Sequence, residues 1–152
     1  SSFTEGSLYI AGFAQAGDPH AGLALSIDSQ TCYLSHIKFE NGAWSHPKIR
    51  KQNLANSLTL TTLLKIHDVS TSALTQQQLG DASDKVEVPS SSEPGECLDW
   101  VIGVVQALHD AGLLKLSSGG DLAREFSEFA AENRNYANRS LFPNVKDSAH
   151  CE

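Results

Sequence analysis

The sequence predicts a single α+β domain in which an antiparallel sheet packs against one long core helix. Short β-favouring runs bounded by turn formers fill the first half of the chain, and apolar residues at helical spacing dominate the second half. A chain of 152 residues with 40% hydrophobic and 19% charged residues is typical of one globular domain. We therefore expect one core and one domain over residues 1–152.

The first half of the chain predicts antiparallel strands. The turn formers Gly17-Asp18-Pro19 separate two apolar runs and so predict a hairpin. Side chains alternate in type along Thr31–Phe39, as a pleated strand requires, and Asn41-Gly42 then predicts a turn. Strands are predicted over Ser7–Ala14, Gly22–Ile27, Thr31–Phe39 and Leu58–Val69, with an irregular or edge segment over Trp44–Lys51.

The second half of the chain predicts helices. From Cys97 to Leu108 the apolar residues recur at helical spacing, and Ala111-Gly112 is typical of a helix end. Residues 80–96 are acidic and rich in Ser and Pro, which predicts a surface loop, either a solvated connection without a role or a lid over the start of that helix. Two further helices are predicted over Leu74–Leu79 and Asp121–Tyr136, followed by an irregular tail over residues 137–152.

Charge and hydropathy exclude several classes of partner. The formal net charge is -7, and the Lys and Arg residues are scattered rather than clustered, so we expect no nucleic acid and no anionic membrane as partner. Every apolar run is far shorter than the roughly 20 residues of a spanning helix, which predicts a soluble, acidic protein without a membrane span. The oligomeric state is left open.

The three cysteines predict reduced thiols. They form no CxxC pair, which argues against a structural zinc site and a disulfide framework, and a cytoplasmic setting is expected. The alternative is a secreted protein with a Cys32–Cys151 bridge and a glycosylated Asn138, because a trimmed start would hide a targeting peptide. No cofactor and no metal is expected, since the remaining histidines lack ligand spacing: His46, His67, His109 and His150.

The candidate catalytic residues are Cys97, His20 and His36. Cys97 opens the predicted core helix, where the helix dipole lowers a thiol pKa, while the neighbouring Glu96 and Asp99 raise it. An imidazole partner is therefore needed, and His20 and His36 lie on neighbouring predicted strands. The alternative is a structural role for all three: Cys97 as a buried residue of a core helix, His20 as an exposed turn residue and His36 as a hydrogen-bonded core histidine.

Three short motifs carry a family resemblance. They are His20-Ala21-Gly22-Leu23-Ala24-Leu25, then Tyr33-Leu34-Ser35-His36-Ile37, then Glu96-Cys97-Leu98-Asp99-Trp100-Val101. In this order they resemble the circularly permuted papain-like proteins of the NlpC/P60 superfamily, which include the lecithin:retinol acyltransferase-like enzymes. The resemblance implies Cys97 as nucleophile, His20 as general base and His36 as the residue that orients it. Two positions depart from the family pattern: Ala21 replaces an aromatic residue and Glu96 replaces an asparagine.

The expected function is that of a thiol enzyme. A cysteine-dependent hydrolase or acyltransferase would act on an amide, ester or thioester of a small molecule or peptide through a thioester acyl-enzyme. Two alternatives remain, a catalytically inactive binding module on the same scaffold and a small-molecule enzyme that uses histidine acid–base chemistry in the same cleft, through His20 with Asp18 or His36. The residues expected to contact the substrate are Tyr9, Gln15, Tyr33 and Trp100.

Overall fold

The computed structural model describes residues 2–91, 93, 95–135 and 141–152. It confirms the α+β class, with a six-stranded mixed sheet and three helices that pack on it. The strands are β1 (Leu8–Phe13), β2 (His20–Ser26), β3 (Thr31–Ser35), β4 (Lys38–Glu40), β5 (Ala43–Ser45), β6 (Arg50–Asn53), β7 (Leu60–His67) and β8 (Val145–Asp147). The helices are α1 (Gln76–Asp84), α2 (Glu96–Asp110) and α3 (Gly119–Glu132), and a 3-10 turn covers Leu54–Asn56.

The sheet brings the start of β2 next to the ends of its two neighbours, β1 and β3. Its strand order is β6-β3-β2-β1-β7-β8, and all neighbours are antiparallel except β7 and β8. β1 and β2 form the predicted hairpin, in which Phe13 pairs with His20. Because β2 and β3 are antiparallel, the start of β2 and the end of β3 lie at the same end of the sheet. His20 and His36 therefore arrive at one place.

Both faces of the sheet are covered by apolar side chains. On one face the strands pack against α2, whose Trp100, Val101 and Val104 are almost fully buried. The apolar stripe of α2 recurs every three or four residues, which is why this helix lies flat on the sheet. The opposite face carries a smaller cluster formed by Phe3, Tyr9, Ala11, Ala24, Cys32, Leu34, Leu54 and Leu63.

The predicted strand Thr31–Phe39 is wrong in extent, because the chain leaves the sheet after Ser35. Residues beyond that point form a separate two-stranded hairpin of β4 and β5. The rings of Phe39 and Trp44 stabilise it in a T-shaped contact at 5.3 Å, and the predicted turn has left-handed backbone at Asn41 (φ 53°) and Gly42 (φ 78°). Alternation continues across the break, so the sequence pattern does not reveal it.

The segment from Trp44 to Lys51, predicted as irregular or an edge, contains β5 and the start of β6. As the last strand of the sheet, β6 is an exposed edge strand, and its polar composition follows from that position.

The predicted loop over residues 80–96 is shorter in the structure. A capping box between Thr75 and Gln78 starts α1 two residues later than the predicted Leu74, and the helix then continues to Asp84 because Leu79 and Ala82 face the core. At the other end α2 begins at Glu96. The polar sequence of α1 hides a helix that its cap and its few buried residues define.

The predicted tail over residues 137–152 contains a strand. β8 pairs parallel with β7, and an isolated bridge joins Leu116 to Cys151. These contacts are non-local, so a three-residue strand leaves no periodic signal in the sequence. The preceding helix α3 starts at Gly119, capped by Ser118, and ends at Glu132, while Tyr136 lies outside the described residues.

Gly12 in β1 is expected to be essential for packing. A Cβ at this position would press on Thr62 Oγ1 and lie 3.1 Å from the Phe126 ring. Gly12→Ala should therefore lower the free energy of unfolding by roughly 1–3 kcal/mol in a urea titration. The matched control is Gly80→Ala in α1, where the nearest atom is Ile49 Cδ1 at 3.8 Å and a gain of about 0.5–1 kcal/mol is expected. Equal stability of the Gly12 variant and the parent chain would contradict this packing.

Candidate functional site

Cys97 lies in the first turn of α2, against the start of β2. Gly95 precedes the helix in left-handed backbone (φ 85°), which turns the chain so that Cys97 faces the sheet. Its thiol donates to the Pro19 carbonyl at 3.9 Å, and its sulfur accepts from the backbone N–H groups of Ala21, Cys97 and Leu98. The residue is only 4% exposed. The Cys97 sulfur thus contacts both the backbone at the start of β2 and the N–H groups at the start of α2.

The pKa of the Cys97 thiol is raised from its ordinary value. Burial is the largest cause, and the nearby Asp18 carboxylate raises the pKa further. The N–H groups of Ala21, Leu98 and Cys97 itself act in the opposite direction, because they stabilise a thiolate. The thiol is therefore protonated at neutral pH and needs a base to react.

The two candidate histidines form a pair. His20 Nε2 and His36 Nδ1 are 3.0 Å apart and share a hydrogen bond, with the rings in a T-shaped arrangement. His36 follows the end of β3 and lies over Gly22, where a Cβ would approach the His36 Cβ to 3.1 Å. A glycine at position 22 thus makes room for the pair. Such a bond fixes the orientation and tautomer of one ring through the other.

The structure brings Cys97 to the backbone around His20. Pro19 and Ala21, the chain neighbours of His20, both contact the sulfur, but no imidazole of the described residues hydrogen-bonds it. Strand alternation explains this. Ala21 faces α2, whereas the His20 ring lies on the other side of the strand with its cross-strand neighbour Phe13, at 5.9 Å between ring centres.

Both imidazoles are neutral at pH 7. Burial lowers the pKa of His20, and the Lys38 charge lowers it further. For His36, burial, His20, Lys38 and His46 together lower the pKa to about 4. A neutral imidazole has a free lone pair, so the pair is able to accept a proton.

A pocket of about 470 Å³ adjoins Cys97. The β1–β2 turn and the start of α2 form one wall, through Asp18, Pro19, Gly95 and Leu98. The other wall belongs to α3 and the residues that follow it. The volume falls within the usual range for small-molecule sites. Cys97 is therefore separated from a ligand-sized space by residues that are its direct neighbours.

The four residues expected to contact substrate separate in the structure. Gln15 lines the pocket, where its amide donates to the Asp18 carbonyl at 2.8 Å. Tyr9 is fully buried in the opposite cluster, with its hydroxyl donating to the Ser2 carbonyl. Trp100 is a core residue whose Nε1 donates to the Val86 carbonyl, and Tyr33 is half-buried against the same core. Only Gln15 of these four contacts the pocket.

Asp18, predicted as a turn former and as an alternative acid–base partner of His20, lies on the wall of the pocket. Its Oδ2 lies 3.9 Å from where a Cβ of Gly95 would be, and its charge acts on Cys97. Of the acidic residues near the helix start, Glu96 instead accepts hydrogen bonds from Ser91 and from the Glu93 N–H. The turn position of Asp18 is visible in the sequence, but the closure of the hairpin onto the helix is not.

A separate polar cluster, formed by Ser35, His46, Ser83 and Asp84, lies where the β4–β5 hairpin meets α1. His46 Nε2 is 3.3 Å from Ser35 Oγ, and His46 Nδ1 is 3.9 Å from the Asp84 carboxylate. Ser35 Oγ also lies 2.7 Å from Ser83 Oγ, which donates to the Leu79 carbonyl. The cluster ties the hairpin to α1.

All three cysteines are free thiols. Burial raises the pKa of Cys32 to about 12, and burial with the Glu125 charge raises that of Cys151 to about 12. The Asn138 sequon lies outside the described residues. Within the described ranges no three His, Cys, Asp or Glu side chains are grouped to hold a metal ion, and no helix combines the length and apolar character needed to cross a membrane.

The buried histidine pair predicts acid sensitivity. The pKa of His36 is about 4 in the folded protein and 6.5 for an unperturbed histidine, so between these values the unfolded chain binds a proton that the folded chain does not. The free energy of unfolding should be highest above pH 6.5 and fall as the pH drops to 4. In urea titrations across this range, His36→Gln should flatten the fall, whereas His150→Gln should keep it. An unchanged slope in His36→Gln would contradict this assignment.

Comparisons of this chain with protein-family models, with curated proteins and with solved structures found no match.

Proposed function

We propose that this chain is a cysteine-dependent hydrolase or acyltransferase of the permuted papain-like type, acting on an amide, ester or thioester. The observation that carries the proposal is the His20–His36 hydrogen bond of 3.0 Å on a strand whose backbone, on both sides of His20, contacts a cysteine at a helix N-terminus. The pair has the base and the orienting group that a thiol nucleophile requires, and the sulfur touches the residues on both sides of the base.

The first step is acylation. The neutral His20 imidazole takes the proton from the Cys97 thiol, and the sulfur attacks the acyl carbon to form a C–S bond. His36 holds the His20 ring through the shared hydrogen bond and stabilises its charged form. The imidazolium then protonates the leaving amine, alcohol or thiol as its bond to the acyl carbon breaks. The product is a thioester on Cys97.

The second step releases the acyl group. Water, or an acceptor alcohol or amine, gives its proton to His20 and attacks the thioester carbon. The C–S bond breaks, and the proton on His20 returns to the sulfur. Backbone N–H groups at the start of α2, including that of Cys97, are the donors nearest to the developing oxyanion.

The chemistry requires a rearrangement at the start of β2. The His20 ring lies on the side of the strand opposite α2, so it must turn to the α2 side before the Cys97 thiol is within hydrogen-bond reach. Catalytic hydrogen bonds are often long in the absence of substrate and tighten in the reactive complex. The sulfur contacts Pro19 and Ala21, the residues on either side of His20, so His20 is the histidine that would make this approach.

Replacement of Cys97 should remove the reactivity. Cys97→Ala is expected to lose turnover of p-nitrophenyl acetate and labelling of the folded chain by iodoacetamide. The matched controls are Cys32→Ala and Cys151→Ala, which should keep both signals because burial raises the pKa of these two thiols to about 12. Turnover is followed by absorbance and labelling by intact mass. Full turnover in Cys97→Ala would overturn the proposal.

The second candidate is a binding module without catalysis. It is favoured by the 4% exposure of Cys97 and by a sulfur whose hydrogen bonds are to backbone groups. A folded wild-type chain that neither turns over esters nor labels at Cys97 would support this candidate.

A histidine acid–base enzyme would instead keep turnover in Cys97→Ser and lose it in His20→Gln.

Removal of the Asp18 charge should increase thiol reactivity. Because the Asp18 carboxylate raises the pKa of Cys97, Asp18→Asn should lower it and increase the thiolate fraction. Alkylation of Cys97 at about pH 8 and low salt should accelerate roughly two- to threefold, since Asp18 is exposed and partly screened. Asp99→Asn, also exposed and in the first turn of α2, should leave the rate unchanged, because Asp18 and not the expected Asp99 is the carboxylate that raises the Cys97 pKa. A slower reaction in Asp18→Asn would contradict the assigned direction.

A further inference from the structure

The pocket beside Cys97 has an asymmetric charge distribution. Asp18 stands on the wall formed by the β1–β2 turn and the start of α2, and Arg134 stands on the wall formed by α3 and the residues after it. Within the described part of the chain Arg134 has no ion pair and no hydrogen bond. Among the described residues the Arg134 guanidinium therefore has no partner and faces a ligand-sized space.

The space between these charges is mainly apolar. Leu98 from α2, Phe126 and Ala130 from α3, and Pro19 from the turn contribute to the lining. Phe126 is fixed in place because its ring packs against Gly12 of the sheet. These side chains offer a compact hydrocarbon body an apolar surface to pack against. Polar groups share the lining with them, including Gln15, Thr61, Ser127 and Asn135.

The two charges set the direction of a bound ligand. Asp18 repels an anionic group near Gly95 and Cys97, and Arg134 attracts one to the opposite wall. Guanidinium binds a carboxylate by paired hydrogen bonds, which are stronger than those between neutral groups. A ligand with one carboxylate at the end of an apolar chain is thus held with its uncharged end toward the Pro19–Gly95 wall that covers the sulfur.

We propose that this pocket binds monoanionic acyl compounds, with the carboxylate on Arg134 and the apolar chain against Leu98 and Phe126, so that a neutral ester or amide at the far end lies at the Pro19–Gly95 wall, behind which Cys97 is buried. As a statement about the substrate this inference rests on the proposed function. As a statement about binding it does not require Cys97 to react.

The test compares two probes that differ only in charge. Monomethyl suberate carries a carboxylate and an ester at opposite ends, and dimethyl suberate is its neutral counterpart. Calorimetric titration of the full chain at low salt should give at least about tenfold tighter binding of the monoester. Arg134→Gln should remove this preference. Arg124→Gln is the matched control, since Arg124 lies on α3 in an ion pair with Asp121 and should leave the preference intact.

The location is tested by filling the pocket. Ala131 is an exposed residue of α3 that lines the pocket, so Ala131→Trp should abolish monoester binding while the fold is kept. Glu128→Trp adds the same ring at an exposed position of α3 outside the lining and should leave binding unchanged. Equal affinity for the two probes, a preference that survives in Arg134→Gln, or normal binding in Ala131→Trp would each overturn the inference.

Binding and chemistry are separated by repeating the titration with Cys97→Ala. Preferential monoester binding in this variant, with no hydrolysis of the monoester by the wild-type chain, supports the pocket and overturns the proposed function. Hydrolysis of both esters with equal kcat/KM and without binding preference supports the proposed function and overturns the pocket assignment.

Discussion

The contact between the first turn of α2 and the start of β2 is the constraint on which the candidate site depends. The left-handed backbone of Gly95 turns the chain into the helix, and the apolar stripe of α2 presses its first turn onto the sheet. The Cys97 sulfur then meets the Pro19 carbonyl and the Ala21 N–H. This contact holds the nucleophile candidate, the base candidate and the wall of the pocket in one place, because His20, Asp18 and Gly95 all adjoin it.

The site is almost uncharged at its centre. Burial lowers the pKa values of both histidines and raises that of the thiol, so the resting state consists of neutral imidazoles and a neutral thiol. This differs from a thiolate–imidazolium pair, which would need mutual proximity to stabilise its charges. A neutral site does not attract ions by itself, so in the proposed binding mode the charges of Asp18 and Arg134 at the pocket walls orient the ligand.

Much of the fold was predictable from the sequence, because periodicity and turn formers act locally. The β1–β2 hairpin, the core helix that begins beside Cys97 and the Asn41-Gly42 turn all follow from such signals. The break after Ser35 and the strand β8 did not, since each depends on a pairing with distant residues. For α1 the capping pair Thr75 and Gln78 was the available signal.

Within the site, residue types were easier to predict than contacts. The pairing of His20 with His36 follows from neighbouring antiparallel strands, whereas the direction of the His20 ring depends on the register with Phe13.

The polar cluster of Ser35, His46, Ser83 and Asp84 illustrates how the direction of hydrogen-bond donation limits chemistry. Ser35, His46 and Asp84 have the order of a hydrolytic triad, but the Ser83 hydroxyl gives its proton to the Leu79 carbonyl. Ser83 therefore receives the Ser35 proton, and Ser35 in turn accepts from His46 Nε2–H. An imidazole that donates to a hydroxyl has no lone pair facing it. With the Ser35 proton directed to Ser83, His46 Nε2 has no proton to remove from Ser35, and the trio joins the β4–β5 hairpin to α1.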